Sequence, residues 1–297
     1  MRNALTIDVE EWFHVSRFRN VIKPGDWPGL ESRVVQNVCY LLKLLREHEV
    51  RATFFVLGWI AERHPELVYT IAQYGHEIGS HSYAHQLVYE QTREEFTDDL
   101  QKSLYALRRV VGSEVKCYRA PSYSISSRNL WVFDTLFDNG ISIDSSLFPI
   151  KHDLYGVSDS PTEIFEISLN SKGSLTECPL STVSIAGKNF PVAGGGYLRL
   201  FPLWVISKGI ARINRAQQPA IIYVHPWEFD PLQPRIAVSF FDRIRHYANL
   251  ETTAGKLRTL LRTFPFSTLG EIVASHKPPG KRPLLTLEST HESNLQP

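Results

Sequence analysis

Arg51-Ala-Thr-Phe-Phe-Val-Leu57 and Gly75-His-Glu-Ile-Gly-Ser-His81-Ser-Tyr-Ala-His85, joined by an amphipathic stretch, decide the fold of this chain. The first run is strongly β-prone, with aromatic and β-branched side chains in succession. Residues 65–74 read as a helix that stops at Gly75, a residue suited to the left-handed turn after a helix. Residues 76–80 read as a second strand. A strand, a helix and a strand within roughly 30 residues form a unit whose two strands lie parallel.

The alternation continues on both sides. Residues 4–10 read as a strand with Leu5, Ile7 and Val9 on one face and Thr6, Asp8 and Glu10 on the other. Helices are expected at 32–48, 92–111, 127–139, 202–216, 253–264 and 268–275, and further strands at 115–119, 141–145 and 220–226. This rhythm predicts an α/β fold with a mostly parallel sheet, open or closed into a barrel. Between 160 and 200 it breaks: Glu163-Ile-Phe-Glu-Ile-Ser-Leu169 and Thr182-Val-Ser-Ile-Ala-Gly-Lys-Asn-Phe-Pro191 read as antiparallel strands. Their turns are placed at Lys172-Gly173 and Gly187-Lys188, and Gly194-Gly-Gly196 reads as a tight loop. From Lys277 the chain is rich in proline, serine and charge and is expected to be a disordered tail, 277–297.

A length of 297 residues suits one large α/β domain or two ordinary ones. Hydrophobic content of 43% against 21% charged describes a soluble globular chain with ample core material. The net charge of +1, with no basic cluster interleaved with aromatics, argues against a nucleic-acid partner. Cys39, Cys117 and Cys178 are too few and too scattered for a disulfide framework or a Cys-x-x-Cys metal site. Cys39 in an apolar helix and Cys117 in an apolar strand are expected as buried free thiols, which suits a reducing compartment. The N-terminal Met-Arg-Asn-Ala-Leu-Thr-Ile-Asp lacks an apolar h-region, and no stretch approaches the roughly 20 apolar residues of a membrane span. The expected location is the cytoplasm; the oligomeric state stays open.

His81 and His85 carry the chemistry. In a helical turn, positions i and i+4 share a face, so both imidazoles can reach one metal ion. Two histidines need a third ligand, and Asp8 and Glu10 stand side by side at a strand's C-terminal end, where parallel α/β folds assemble their sites. Adjacent carboxylates repel unless a cation or a proton lies between them. Two imidazoles and one carboxylate would leave open coordination positions, as a catalytic metal needs. Equally, the carboxylates could begin a polar loop and the histidines form a solvated or core pair. Arg119, in Arg119-Ala-Pro-Ser-Tyr-Ser124, suits a bidentate bond to a carboxylate or a structural salt bridge. His225, in Tyr223-Val-His-Pro-Trp-Glu-Phe-Asp230, suits a general acid or an ordinary histidine before proline.

The order of the set, Asp-x-Glu, Gly-Ser-His-x-x-x-His, Arg-Ala-Pro, Asp144-Ser-Ser and His225-Pro, resembles the polysaccharide deacetylases of carbohydrate esterase family 4 over residues 4–275. Thr6-Ile-Asp-Val-Glu-Glu-Trp-Phe-His14, Asp144-Ser-Ser-Leu-Phe-Pro149, Gly194-Gly-Gly-Tyr-Leu-Arg199, His225-Pro-Trp-Glu-Phe-Asp-Pro231 and Gln233-Pro-Arg-Ile236 resemble its bacterial subgroup associated with exopolysaccharide and exosortase gene clusters. The resemblance implies a distorted (β/α) barrel of seven strands, with a small antiparallel insertion near 160–200. It implies a deacetylase-like catalytic domain over 1–276, with a subgroup-specific part from about residue 150. The implied reaction is metal-dependent removal of N-acetyl groups from amino sugars of an exopolysaccharide or its lipid- or nucleotide-linked precursor.

The family's first motif ends in two adjacent aspartates, a base and then a metal ligand. Here Asp8 matches the base, but Val9 follows it, so Glu10, on the face of Asp8, is the expected ligand beside His81 and His85. Asp8 as the ligand, with Glu10 or Glu11 in a secondary role, stays open. The implied cofactor is a divalent ion, Zn2+ first. Arg119 matches the arginine that orients the base, His225 the general acid, and Asp144 an acid partnering that histidine. A backbone N–H near Tyr123 would help hold the oxyanion. Tyr123, Trp131, Tyr197 and Trp227 are candidate substrate contacts, the last three suited better to core or groove wall. His14 and His152 would line the cleft, while His48, His64, His246 and His276 suit surface or helix positions. The implied partners are an N-acetylated saccharide and, peripherally, membrane-bound polysaccharide assembly machinery. Two other readings are a ring amidohydrolase or deformylase on the same scaffold, and a non-catalytic carbohydrate-binding component.

Overall fold

The computed structural model describes residues 1–150, 156–169, 172–276 and, as backbone, 281–283. In its first half the elements follow the expected alternation. They are β1 (Asn3–Val9), α1 (Val34–Glu47), β2 (Thr53–Val56), α2 (Gly58–Arg63), α3 (Pro65–Gln73), β3 (Glu77–Ser80), α4 (Arg93–Val111), β4 (Cys117–Tyr118), α5 (Trp131–Asp138) and β5 (Ile143–Asp144). The second half carries β6 (Phe165–Ser168), β7 (Ser174–Glu177), β8 (Thr182–Ile185), β9 (Lys188–Pro191), α6 (Gly196–Leu200), α7 (Leu203–Arg215) and β10 (Ile221–Val224). It closes with α8 (Phe240–Tyr247), α9 (Leu250–Thr263), β11 (Phe266–Ser267), α10 (Leu269–Ser275) and β12 (Lys281–Pro283).

The sheet runs β10-β1-β2-β3-β4-β5-β7 with every neighbour parallel, and β11 also pairs parallel with β1. It is a curled, incompletely closed (β/α) barrel with eight parallel strands rather than seven. The extra strand, Phe266–Ser267, is two residues long and gives no periodic signal. All seven residues of β1 are buried. Leu5, Ile7 and Val9 pack outward with Val34, Val38 and Leu41 of α1, while Thr6 and Asp8 face the barrel interior beside Arg119. The outer layer therefore stabilises the fold by apolar burial, at about 25 cal/mol per Å2, and the interior is left for polar groups.

Local chemistry sets the helix ends. The Thr92 hydroxyl accepts from the Glu95 N–H (3.2 Å) and the Glu95 carboxylate from the Thr92 N–H (2.8 Å), a reciprocal cap that begins α4. The antiparallel segment near 160–200 is present: β6 pairs antiparallel with β7, which is also a barrel strand beside β5, and β8–β9 form a detached hairpin. That hairpin turns at Ala186-Gly187, both with positive φ, one residue earlier than expected. Cys39 is exposed on α1, whereas Cys117 and Cys178 are buried free thiols. Within the expected tail, 281–283 pair parallel with β6, and 277–280 and 284–297 lie outside the described residues.

Candidate active site and metal centre

Strand geometry places the carboxylates. Asp8 is the penultimate residue of β1 and Glu10 lies one step beyond its end, so both point to the same side and both are buried. Glu11 points the other way and anchors this segment to the start of α1. Its carboxylate accepts from the N–H groups of Arg33 (3.0 Å) and Val34 (3.2 Å) and from the Ser32 hydroxyl. The Glu11 N–H in turn donates to His14 Nδ1 at 3.1 Å. His14 is buried among Phe13, Trp27 and Trp59, and burial holds its pKa well below the usual value. Glu11 and His14 therefore brace the segment that carries Glu10, and His14 sits in an aromatic cluster rather than lining the cleft.

His81 and His85 converge on Glu10, though not on a helical turn. They sit in the loop after β3, where Ser82 and His85 have positive φ (68° and 53°) and the His85 N–H donates to Ser82 Oγ at 3.1 Å. Loop torsions, rather than a helix face, bring the rings together. His81 Nδ1–H donates to the Arg119 carbonyl at 2.8 Å, which leaves the lone pair on Nε2. That nitrogen lies 3.1 Å from Glu10 Oε1, and His85 Nε2 lies 3.0 Å from the same oxygen. An acceptor nitrogen facing a carboxylate oxygen needs a proton or a cation between them. Burial alone would raise the Glu10 pKa, but the surrounding His85, His225 and His81 hold it well below the usual range. Glu10, His81 and His85 offer ligand atoms within 4.8 Å of one another. Two imidazole nitrogens and a carboxylate, one tautomer fixed by a backbone carbonyl, fit a Zn2+-type ion.

Asp8 is held differently. Arg119, fully buried, donates to Asp8 Oδ1 (2.8 Å), Thr6 Oγ1 (2.6 Å), the Ser145 carbonyl (3.0 Å) and Ser145 Oγ (2.7 Å). The Tyr123 hydroxyl reaches Asp8 Oδ2 at 3.3 Å. With its oxygens engaged by these donors, Asp8 lies beside the Glu10–His81–His85 group. His225, one residue past β10, places Nε2 3.9 Å from both Asp8 Oδ2 and Glu10 Oε1. Its Nδ1 bonds Glu228 Oε2 at 3.2 Å, and Arg199 Nε holds Glu228 Oε1 at 2.7 Å. Burial opposes charge on His225, yet Glu10, Glu228 and Asp8 push its pKa up to about 9. Burial likewise opposes ionisation of Glu228, but His225 and Arg199 bring it down to about 2.

The carboxylate that bonds His225 is thus Glu228, not Asp144. Asp144 accepts from the Ser146 N–H (3.0 Å) and hydroxyl (2.7 Å), and it pairs with Glu177. Burial raises the pKa of both acids, and their mutual repulsion keeps a proton on the pair. The Tyr123 N–H donates to the Ala120 carbonyl at 3.0 Å, so it is already committed. Trp131 packs against Phe96 and the main core rather than the site. Tyr197 and Trp227 do line the cavity, about 350 Å3, with Asp8, Glu10, His85, Tyr123 and His225. Trp227 stacks between His225 (5.0 Å) and His246 (4.4 Å), so His246, a helix residue as expected, is a buried part of the wall. His152 lies outside the described residues. Arg199 and Glu228 carried no assigned role in the sequence, although Glu228 sits at i+3 from His225. The glycine run before Arg199 has a steric cause. Gly194 lies with positive φ against β10, and a β-carbon on it would overlap the Tyr223 carbonyl oxygen.

A polysaccharide deacetylase model matches residues 28–136, and a domain of unknown function (DUF3473) matches 145–274. Residues 28–136 belong to the polysaccharide deacetylase family. The chain is 33% identical over 117 residues to a peptidoglycan-N-acetylglucosamine deacetylase of Bacillus cereus, covering 35% of the chain and 42% of that protein. It is 29% identical over 122 residues to chitin deacetylase 1 of Saccharomyces cerevisiae, covering 41% and 37%. The chain spans less than half the length of either relative. A crystal structure from Mycobacterium smegmatis assigned to the polysaccharide deacetylases superposes with a TM-score of 0.62 at 20% identity, covering 93% and 92% of the two chains. That likeness shows the same fold through the second half of the chain.

Proposed function

We propose that the chain is a divalent-metal-dependent hydrolase that removes acetyl groups from N-acetylated amino sugars. The observation that carries the reading is the convergence of two imidazole nitrogens on Glu10 Oε1 beside an Arg119-held aspartate and a carboxylate-held histidine. An ion held by Glu10, His81 and His85, Zn2+ by its donor set, would lower the pKa of water and polarise the acetamide carbonyl. Asp8, fixed at Oδ1 by Arg119, takes the proton that water loses as it attacks the carbonyl carbon. His225, with Nδ1 tied to Glu228, gives its Nε2 proton to the nitrogen as the C–N bond breaks. Acetate and a free amino sugar leave.

The finer substrate is a phosphate-linked N-acetylhexosamine of an exopolysaccharide precursor, handled beside membrane-bound assembly machinery. Arg17 and Arg245 line the cavity and suit a diphosphate on the sugar. The motifs shared with the exopolysaccharide-associated subgroup support the same choice.

Elemental analysis of purified wild type and His81→Ala, with acetate release from N-acetylated oligosaccharides and nucleotide-linked N-acetylhexosamine, tests the proposal. The expected result is about one ion per chain, lost in the variant, with acetate released from N-acetylated sugars, no ring opening of small cyclic amides and no formate from N-formylated sugars. Retention of metal by His81→Ala, or no metal in either protein after reconstitution, would overturn it.

A further inference from the structure

Helix α8 carries an apolar face that the described fold leaves uncovered. Phe240, Phe241 and Ile244 are 61%, 74% and 41% exposed, and positions i, i+1 and i+4 lie on one side of a helix. Exposed apolar residues scattered singly are ordinary, whereas a contiguous group marks a binding surface. The polar residues of the same helix are cationic. Arg243 and Arg245 are exposed, and the helix's one carboxylate, Asp242, is taken by Arg17 at 3.3 Å.

This face borders the mouth of the site. Arg199 of α6 donates to the carbonyl oxygens of Arg245 (2.8 Å) and His246 (3.0 Å), which fixes the end of α8 against α6. Leu200 and Arg245 both line the cavity, and Leu200 is 41% exposed. Four residues beyond Leu200, Trp204 is 62% exposed, with the Lys208 ammonium 5.0 Å from its ring centroid. Aromatic and aliphatic side chains interleaved with cations, on a chain whose total charge is only +1, concentrate positive charge where the apolar surface is.

We propose that α8 and the start of α7 seat this protein on an anionic lipid bilayer, with the cavity opening onto the membrane surface. The phenylalanines would enter the boundary between headgroups and acyl chains, and the arginines would meet the lipid phosphates. Among the described residues no helix is long and apolar enough to cross a membrane, so the attachment is peripheral. A second copy of the chain is a poor occupant, because two-fold pairing through this face sets Arg243 and Arg245 against the same cations. The orientation of the mouth rests on reading the cavity as the active site; the attachment does not.

The test is co-sedimentation of the purified full chain with vesicles of phosphatidylglycerol and phosphatidylcholine, and with phosphatidylcholine alone. Light scattering and acetate release from a soluble oligosaccharide are measured on the same preparations. The expected result is binding to the anionic vesicles that weakens with salt. Phe240→Ser/Phe241→Ser should reduce it by at least about tenfold, and Arg243→Ala by about fivefold. Acetate release from the soluble substrate should be unchanged in both variants. Binding without any acetate release would sink the deacetylase reading and leave this one standing. No binding to anionic vesicles, equal binding to neutral ones, or a dimer that Phe240→Ser/Phe241→Ser converts to monomer would overturn it.

Discussion

Removing both members of the Asp8–Arg119 pair should cost less than the sum of removing each alone. Arg119 is fully buried and Asp8 nearly so, joined at 2.8 Å. Arg119→Met strands a carboxylate in the barrel and leaves Thr6 Oγ1, the Ser145 carbonyl and Ser145 Oγ without their donor. A buried charge without its partner costs about 3–5 kcal/mol. Asp8→Asn sits at the low end of that range, because the guanidinium keeps those three acceptors. In Asp8→Asn/Arg119→Met no net charge is stranded, so the double variant should fall short of the summed costs by about 2 kcal/mol. Urea unfolding followed by fluorescence suits the assay, since the chain has 6 tryptophans. Metal content is measured alongside. Asp8→Asn should keep its metal, because Glu10, His81 and His85 are untouched, while turnover drops by at least about 100-fold. Additivity within about 0.5 kcal/mol would refute the buried-pair argument. Loss of metal from Asp8→Asn would refute the assignment of Glu10 as the ligand.

Three further outcomes follow from the same geometry. Glu228→Gln removes the carboxylate that helps hold the His225 pKa near 9, so the basic limb of the kcat/KM profile should move to lower pH with metal content unchanged; an unmoved limb would mean that Glu228 does not set that ionisation. Gly194→Ala drives a β-carbon into the Tyr223 carbonyl oxygen from a positive-φ position, and a scan should show Tm lower by several degrees; an unchanged Tm would mean that the loop before α6 yields freely. His76 is buried with Nδ1 accepting from the Ala52 N–H at 3.1 Å, and burial, with Arg51, lowers its pKa to about 4. The unfolded chain takes up that proton first as pH falls below about 6.5, so stability should fall between there and about 4, by roughly 2 kcal/mol at about pH 5. Urea unfolding of wild type and His76→Gln at neutral and mildly acid pH checks this, and an equal loss in both proteins would clear His76 of the effect.

Much of the molecule was legible because its signals are local. The 3.6-residue and 2-residue periods located most of the long helices and the buried strands, and Gly75 marked a helix end by backbone chemistry that needs no partner. Asp8 and Glu10 share a face because a strand alternates, and that survives any tertiary context. What the sequence could not contain was pairing across the chain. The two-residue strand Phe266–Ser267 exists only because β1 offers an edge, and β7 is a barrel strand because β5 lies beside it. The histidine pair was read as a helical turn, yet two positive-φ residues in a loop converge the rings. His225 was matched with Asp144, but burial ties that acid to Glu177 and leaves Glu228 as the partner, braced by Arg199 from 29 residues upstream. The sequence by itself determined the residues that can ionise, their spacing and the strand ends they occupy. Only the tertiary structure decided which of them meet, because the energy of a buried charge depends on what surrounds it and not on its neighbours along the chain.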